Sequence, residues 1–594
     1  MSEQTSSISL EQNEQFLKKA YGKALIPCML SILSGNINIL ADGILVGQRL
    51  GADALAAINF SLPVYLVLCI AGSFIVSGTA ICAAGAIGNH QGKKAQELYK
   101  MSVFWCVFIS AVVTAAGLLC IKPLAGLLCS QEAVSPLVME YTGVTLAGAL
   151  PRILIYIPFW YLRLDGRNRQ VTWMMLVMGA GNVMLDVLFL YVFDMGVSGA
   201  AFASVMATAV SCLLGFVWLC DKKSSFSLGM RVNCRDVSFV CIAKAGSPSA
   251  LNNLFQTLRV MVVNILLLQN GGSGLVAAFT AVNCIGAFEE SVTGGVPQAA
   301  SAMLGVYSGE HDNKSACLLL TRQVRSGVPY CLLFSIVILA GADFIAGAYG
   351  LTDSLRFAFL CMSFGMIPAL CNCILSGYYN VSGYAMWANA IILLRVFVMP
   401  CASLFVLCRQ SCSPWWFLFT GEVLTLLVWF AATGVYRHFH RRCSRFLLMD
   451  QTLEETGRVI NFSVRGKEED ICDASSKITV FCEENGMLPG QVMRVSLAME
   501  EMMTLILSEN GEEGVEFDLR VYSLEGVIGI RIRYSGREFN PLCRTEDKGQ
   551  TGADALGKEA GNCDMYMGIR MIEDMVETAM YQRTFGMNTI QIYI

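Results

Sequence analysis

The sequence predicts an all-α polytopic membrane protein, with twelve transmembrane helices in two six-helix lobes, followed by a C-terminal soluble α/β sandwich domain. Three observations carry this reading. The 594-residue chain is 55% hydrophobic and only 15% charged, with mean hydropathy +0.55, above the apolar share usual in soluble globular domains. Apolar runs long enough to cross a bilayer start near Ala24, Leu55, Met101, Val138, Val171, Val197, Gly246, Leu275, Val328, Leu355, Met386 and Trp415. The chain up to Arg445 holds 28 basic and 20 acidic residues, and the remainder 14 basic and 26 acidic, so a net charge of +8 gives way to −12. A switch that sharp marks a domain boundary near Phe446.

The elements follow in order. Residues 1–22 read as a cytosolic segment, polar and without the apolar stretch of a signal peptide. Residues 23–222 form the N-terminal lobe and 223–445 the C-terminal lobe. Basic residues concentrate in alternate connections: Lys93, Lys94 and Lys100, then Arg163, Arg167 and Arg169, then Lys222 through Lys244, then Lys314, Arg322 and Arg325, and finally Arg437, Arg441 and Arg442. Those loops face the cytoplasm, and an even number of spans returns both termini there. The expected location is the cell's inner (plasma) membrane, crossed many times.

The two lobes repeat one another. A shift of 221 positions aligns Pro27 with Pro248, Ala56 and Ala57 with Ala277 and Ala278, Gly88 with Gly309, His90 with His311, Lys93 with Lys314 and Ala95 with Ala316. After a four-residue slip, Gly148, Pro151 and Gly166 align with Gly365, Pro368 and Gly383. Each copy has an even number of spans, so the copies run in the same direction about an axis along the membrane normal. Such lobes can rock about a central cavity. A channel more often assembles from several copies of a short subunit around a pore.

Most of the 24 cysteines lie inside apolar runs, where the thiol behaves as a small hydrophobe. Cys408 and Cys412 are the one pair to watch, read as two free thiols. Four histidines, and no Cys or His clustering at metal-ligand spacing, argue against a structural zinc site, so no metal is expected. The acidic C-terminal part argues against a nucleic-acid partner.

An ionisable group at hydrocarbon depth costs roughly 2.5–3.5 kcal/mol on insertion scales, so each demands a role or a partner. Asp42 and Asp186 are the clearest cases. Asn182 precedes Asp186 by one helical turn and shares its face, and Asn36 and Asn38 lie on the helix of Asp42. Two carboxylates sharing a dry pocket repel one another, which favours uptake of a proton. A satisfied structural hydrogen-bond network is the alternative. Glu289 and Glu290 in the eighth span are secondary candidates. Glu422 in the twelfth, with Arg259 and Arg395 in the seventh and eleventh, reads as ion pairing or snorkelling.

The run Asp42-Gly-Ile-Leu-Val-Gly-Gln-Arg-Leu-Gly51, followed by Ala54-Leu-Ala-Ala57 and Pro63, resembles the start of multidrug and toxic compound extrusion (MATE) transporters. So does Asn182-Val-Met-Leu-Asp186 ahead of Gly196-Val-Ser-Gly-Ala-Ala201. The resemblance runs from about Lys19 to Arg442. It implies two six-helix lobes around a cavity that exports small organic cationic or amphipathic compounds in exchange for H+ or Na+. It also implies a cation site formed by Asp42, Asn182, Asp186 and Ser204, where the family often has Thr at the last position. The branch that relies on an acidic residue in the seventh helix does not fit, because none occurs between Gly246 and Leu268.

From about Gln451 to Ile594 the pattern turns to soluble α/β. Val492–Leu507 has helical periodicity, and Glu516–Val521 and Val527–Tyr534 alternate as strands. Ser496-Leu-Ala-Met-Glu-Glu-Met-Met-Thr-Leu505, Gly536-Arg-Glu-Phe-Asn-Pro-Leu542 and Gly568-Ile-Arg-Met-Ile, with Tyr581, Asn588 and a closing strand Thr589–Ile594, resemble the boxes of the histidine-kinase-type ATPase fold of anti-sigma-factor kinases. In that resemblance Glu501 matches the catalytic acid, while the metal-binding Asn falls on Leu505 and the adenine-reading Asp on Tyr534. Neither replacement performs the original task. The implied module is a degenerate nucleotide site at Glu501, Leu505, Tyr534, Gly536 and Gly568. Its role would be regulation, or binding of a cytosolic protein, and Lys548–Gly561 reads as a lid-like loop or a connector.

The expected function is secondary transport without enzymatic activity or bound cofactor. Its partners are a small organic substrate, a coupling cation and the lipid bilayer. A lipid-precursor flippase would call for a strongly basic cavity. A membrane-tethered signalling kinase would call for intact metal and adenine residues.

Overall fold

The computed structural model describes residues 2–50, 52–89, 91–128, 134–221, 224–226, 239–310, 312–348, 354–410, 412–440, 447–449, 458–465, 468–510, 515–524, 527–537, 539–541, 578–584 and 587–594. In the first helix the side chains of residues 2–16, 19, 39–44 and 47 lie outside that description. The chain divides into two units, one spanning Tyr21–Arg441 and the other built mainly on Met449–Ile594.

The first unit is helical throughout. Its N-terminal lobe contains α1 (Ser2–Leu50), α2 (Ala52–Gly88), α3 (Gly92–Leu119), α4 (Ile121–Leu128), α5 (Ser135–Ala147), α6 (Ala149–Leu154), α7 (Tyr156–Leu164), α8 (Asn168–Val187) and α9 (Gly196–Leu219). The C-terminal lobe contains α10 (Phe239–Thr293), α11 (Gly295–Gly309), α12 (Asn313–Ala340), α13 (Ala342–Ala348), α14 (Arg356–Val381), α15 (Ala385–Ile392), α16 (Met399–Arg409) and α17 (Phe417–Phe439). Among the described residues ten helices are long and apolar enough to span a membrane, or eleven if the bent pair Ser135–Ala147 and Ala149–Leu164 forms one span. Eleven of the twelve expected starts fall inside these segments or one residue ahead of them. The remaining one, near Ala24, falls within α1.

Phe104, Val217, Ile336 and Phe344 stand exposed on their helices, as expected where lipid tails rather than water complete the packing. The hairpin between the seventh and eighth spans turns at Gly272, whose φ of 73° lies in the left-handed region. The repeat is visible in the backbone. Gly166 and Gly383, aligned by sequence, both take left-handed conformations, with φ of 76° and 83°. Gly88 and Gly309 meet each other across the lobe seam. A Cβ on Gly88 would lie 2.4 Å from the Val306 carbonyl, and one on Gly309 would lie 2.9 Å from the Gly88 Cα. Glycine is required at both positions because two backbones touch there. The seam is therefore closed beside the basic loops that carry Lys93 and Lys314.

The second unit contains a five-stranded antiparallel sheet in the order β1-β2-β3-β5-β4. Its strands are β1 (Arg458–Arg465), β2 (Glu516–Leu524), β3 (Val527–Ser535), β4 (Thr578–Thr584) and β5 (Met587–Tyr593). Helices Glu468–Glu484 and Pro489–Asn510 cover one face. Ile478, Val495, Met499 and Met502 from the helices pack with Phe517, Leu519, Ile530 and Ile590 from the sheet. The intervening strand residues are polar, with Arg531 donating to Asp518 at 2.9 Å, as the two-residue period of a strand dictates. β2, β3, β5 and the longer helix agree with the sequence reading. β1, β4 and helix Glu468–Glu484 escaped it.

Candidate functional site

The first constellation lies in the N-terminal lobe, where α1 and α8 run side by side. Thr172 donates to the Pro27 carbonyl at 2.8 Å, Ser34 to the Met175 carbonyl at 3.1 Å, and Arg49 Nε to the Leu190 carbonyl at 3.3 Å. These contacts fix a parallel register along the two helices. Gly179 lets them close up, since a Cβ there would stand 3.1 Å from Ser34 Oγ and 3.8 Å from Asn38 Cβ. One turn further along α8 the polar chain begins. Ser204 Oγ of α9 donates to Asn182 Oδ1 at 3.5 Å, and Asn182 Nδ2 donates to Asp186 Oδ2 at 2.9 Å. Asp186 is wholly buried and Asn182 is 2% exposed.

The amide orders this chain. Its NH2 group faces the acid and its carbonyl faces the hydroxyl, so Asp186 accepts and Ser204 donates. The buried Asn38 Oδ1 has no partner among the described residues. Asp42 lies one turn beyond it on α1, and the helix register sets its backbone level with residues 182–184. Its side chain lies outside the described residues. Immediately after Asp186, residues Leu188–Val192 form a π-helical turn, a local widening that recurs at functional positions in helices.

The second constellation lies in the C-terminal lobe, and here the structure brings together residues that the sequence left scattered. Arg259, Glu289 and Glu290 of α10, Arg395 of a π-helical stretch (Leu393–Val398), and Glu422 of α17 line one cavity of about 600 Å³. Arg395 Nε donates to both Glu422 oxygens at 2.9 and 3.1 Å, and Asn372 Nδ2 donates to Glu422 Oε2 at 2.8 Å. Gln256 Nε2 donates to the two Glu290 oxygens at 3.2 and 3.3 Å. Ion pairing thus accounts for Arg395 and Glu422. Gln256 and Asn372 escaped the sequence reading. Opposite charges on the consecutive spans of Arg395 and Glu422 were the available signal for that pair, but Gln256 gave none.

The cavity wall also draws on the other lobe. Leu62, Pro63 and Tyr65 of α2 face it opposite Phe279, Met362 and Phe417. Asn36 of α1 donates to the Ala287 carbonyl and, at 3.3 Å, to Ser291 Oγ. The lobes also meet at a thiol pair, Cys82 on α2 and Cys241 on α10, with sulfurs 3.4 Å apart. Cys408 and Cys412 are both free. No group of three or more potential metal ligands occurs among the described residues.

In the second unit, Leu505 and Tyr534 are buried in the core, and Glu501 lies one turn before Leu505 on helix Pro489–Asn510. The Tyr534 hydroxyl donates to the Phe539 carbonyl, and burial pushes this phenol well above its usual titration range, so it stays a donor. Gly536 has φ 139°, and a Cβ there would collide with Asn510 Oδ1 at 2.3 Å. Asn588 donates to the Arg537 carbonyl at 2.8 Å. Gly568 and Lys548–Gly561 lie outside the described residues.

Two pseudo-equivalent helical lobes, a closed seam and a polar cavity between spans define a polytopic membrane protein of the transporter class. Within it, a family model described as MatE matches residues 27–192. A solved structure described as the outward-facing conformation of a multidrug resistance MATE family transporter superposes with TM-score 0.65 at 22% identity, covering 69% of this chain and 94% of that one. The FAD transporter of Shewanella oneidensis is 26% identical over 283 residues, 46% of this chain and 62% of that protein. The multidrug export protein MepA of Staphylococcus aureus is 22% identical over 248 residues, 42% of this chain and 54% of that protein. The chain thus spans between half and two thirds of the length of these relatives. Family model, relatives and solved structures together support a MATE-type transporter, and the membrane unit has the MATE fold.

Proposed function

We propose that the chain is a secondary active transporter that exports small organic cationic or amphipathic compounds by H+ or Na+ antiport. The observation that carries this reading is the buried Ser204–Asn182–Asp186 chain, set against α1 at the level of Asp42. A fully buried carboxylate at lipid depth, bonded to a neutral amide, carries a desolvation cost that binding a proton or a sodium ion relieves. Binding at that depth couples to the lobes through α1, which touches both α8 and the C-terminal lobe.

The C-terminal unit is a cytosolic regulatory module, descended from a nucleotide-binding fold but without its chemistry. Leucine at 505 cannot hold a hard cation, and Tyr534 spends its hydroxyl on the backbone. Its partner is a cytosolic protein rather than ATP. The purified full chain is expected to show no ATP turnover above a blank.

Reconstitution into liposomes with a trapped fluorescent cation tests the transport reading. Efflux should accelerate under an imposed pH or Na+ gradient and stop when the gradient is collapsed by an ionophore. Equal rates with and without a gradient would refute antiport.

A further inference from the structure

In the C-terminal cavity the five charged side chains are not equivalent. Arg395 is neutralised by Glu422 at 2.9 Å, with Asn372 completing the pair. Glu290 is oriented by the neutral Gln256 amide, which donates to both of its oxygens. Arg259 makes no hydrogen bond or ion pair among the described residues, and neither does the carboxylate of Glu289. Both line the same cavity.

A guanidinium is charged at any physiological pH and presents a planar fork of donors. Placed at hydrocarbon depth without an internal acceptor, it is satisfied only by water or by an anion entering the cavity. A carboxylate is the anion whose geometry matches that fork. A compound carrying only negative charge would meet Glu289 and Glu290. A compound carrying only positive charge would leave Arg259 unanswered and lie against it. One molecule satisfies both sides when it bears a carboxylate and a cationic nitrogen on an apolar frame. The walls suit such a frame, since Pro63, Tyr65, Phe279 and Phe417 come from both lobes. The volume of about 600 Å³ also falls within the roughly 300–1,000 Å³ range of small-molecule sites.

Resting on the export reading above, we propose that this cavity is a substrate-recognition site selective for zwitterionic amphipaths, with Arg259 holding the carboxylate and Glu289 and Glu290 the cationic group. Arg259 occupies the repeat position of Asn38. One lobe thus keeps a neutral amide at this register, where the other places a fixed positive charge.

The test uses two fluorescent dyes that share one fused-ring frame: rhodamine 110, with a free carboxylate, and rhodamine 123, its methyl ester. Binding to the purified full chain is followed by anisotropy. The wild type should bind the free acid about tenfold to a hundredfold more tightly than the ester, the range of a charge-assisted bond. Arg259→Gln should erase that difference while leaving ester affinity unchanged or slightly better. Arg259→Lys, which keeps the charge and loses the fork, should fall between. Glu289→Gln should weaken both dyes. Equal affinity of the wild type for the two dyes overturns the inference without any variant having to fold, and so does an Arg259→Gln protein that still prefers the acid. If the ester is exported under a gradient and the acid is not, this inference fails while the transport reading stands. If neither dye binds nor moves, both fail.

Discussion

The two lobes have one backbone plan and opposite chemistries. The N-terminal lobe buries the carboxylate of Asp186 beside a short neutral hydrogen-bond chain. The C-terminal lobe opens a cavity that carries charges of both signs. The repeat register makes the contrast explicit. Asn182, Asp186 and Ser204 correspond to Met399, Ser403 and Gly421, while Glu289, Glu290 and Glu422 correspond to Leu68, Cys69 and Val205. No carboxylate in either set has a carboxylate or any other charged side chain as its counterpart. The backbone determinants instead coincide, as at Gly166 and Gly383 or at Gly88 and Gly309. The lobes share their backbone determinants and differ in their buried side chains, and on the reading proposed above the first carries the ion-binding chemistry and the second the ligand-binding chemistry. The π-helical turns beside Asp186 and around Arg395, in the fifth and eleventh spans, show the same division. Equivalent spans are widened, each near its own lobe's charge.

The largest effect in this comparison should come from breaking the C-terminal ion pair. Glu422→Gln leaves Arg395 facing a neutral amide in a mostly buried setting, and loss of one partner of a buried pair costs about 3–5 kcal/mol. A thermal melt in detergent should drop by several degrees, whereas an unchanged melt would mean that the pair contributes little to folding. The 2.9 Å contact to Arg395 is what makes this substitution costly.

The lobe seam gives the next effect. Gly309→Val would push its side chain into the Gly85 carbonyl and the Gly88 Cα, and overpacking of this kind costs about 1–3 kcal/mol. The closed seam should be destabilised, and cysteine-accessibility labelling of nearby positions should rise. A complementary probe is already built in. Mild oxidation should join Cys82 to Cys241, whose sulfurs lie 3.4 Å apart, and hold the lobes in this arrangement. Gradient-driven transport should then cease and return on reduction, and Cys82→Ser should be immune. A cross-linked protein that transports normally would show that these helices do not part during the cycle.

The smallest effect belongs to Ser204→Ala. A neutral hydrogen bond contributes about 0.5–1.5 kcal/mol, and at 3.5 Å this one should lie at the low end. The variant should fold normally and transport with a reduced ion affinity, read as a shift in the half-saturating gradient.

Much of this was legible in the sequence because membrane folds are dominated by a single constraint, the length of apolar runs. The spans follow from hydropathy, and the repeat from residues aligned at a fixed shift. Asn182 and Asp186 were legible as a pair because four residues make one helical turn. The C-terminal cavity was not. Arg259, Arg395 and Glu422 sit on three different elements, and their meeting depends on helix rotation and tilt, which no local pattern encodes. In the second unit, β1 and β4 were hidden for a different reason: Arg458–Arg465 and Thr578–Thr584 are the two edge strands of the sheet and interleave polar with apolar residues.

The division of labour between lobes is tested most directly by measuring binding and transport together in Asp186→Asn. The substitution keeps size and hydrogen bonding to Asn182 and removes the titratable charge. The purified variant should bind rhodamine 110 with wild-type affinity at equilibrium, because the ligand site lies in the other lobe, yet lose gradient-driven efflux by at least about a hundredfold. Normal efflux under a saturating gradient would contradict the account and move the coupling site to Glu289 and Glu290.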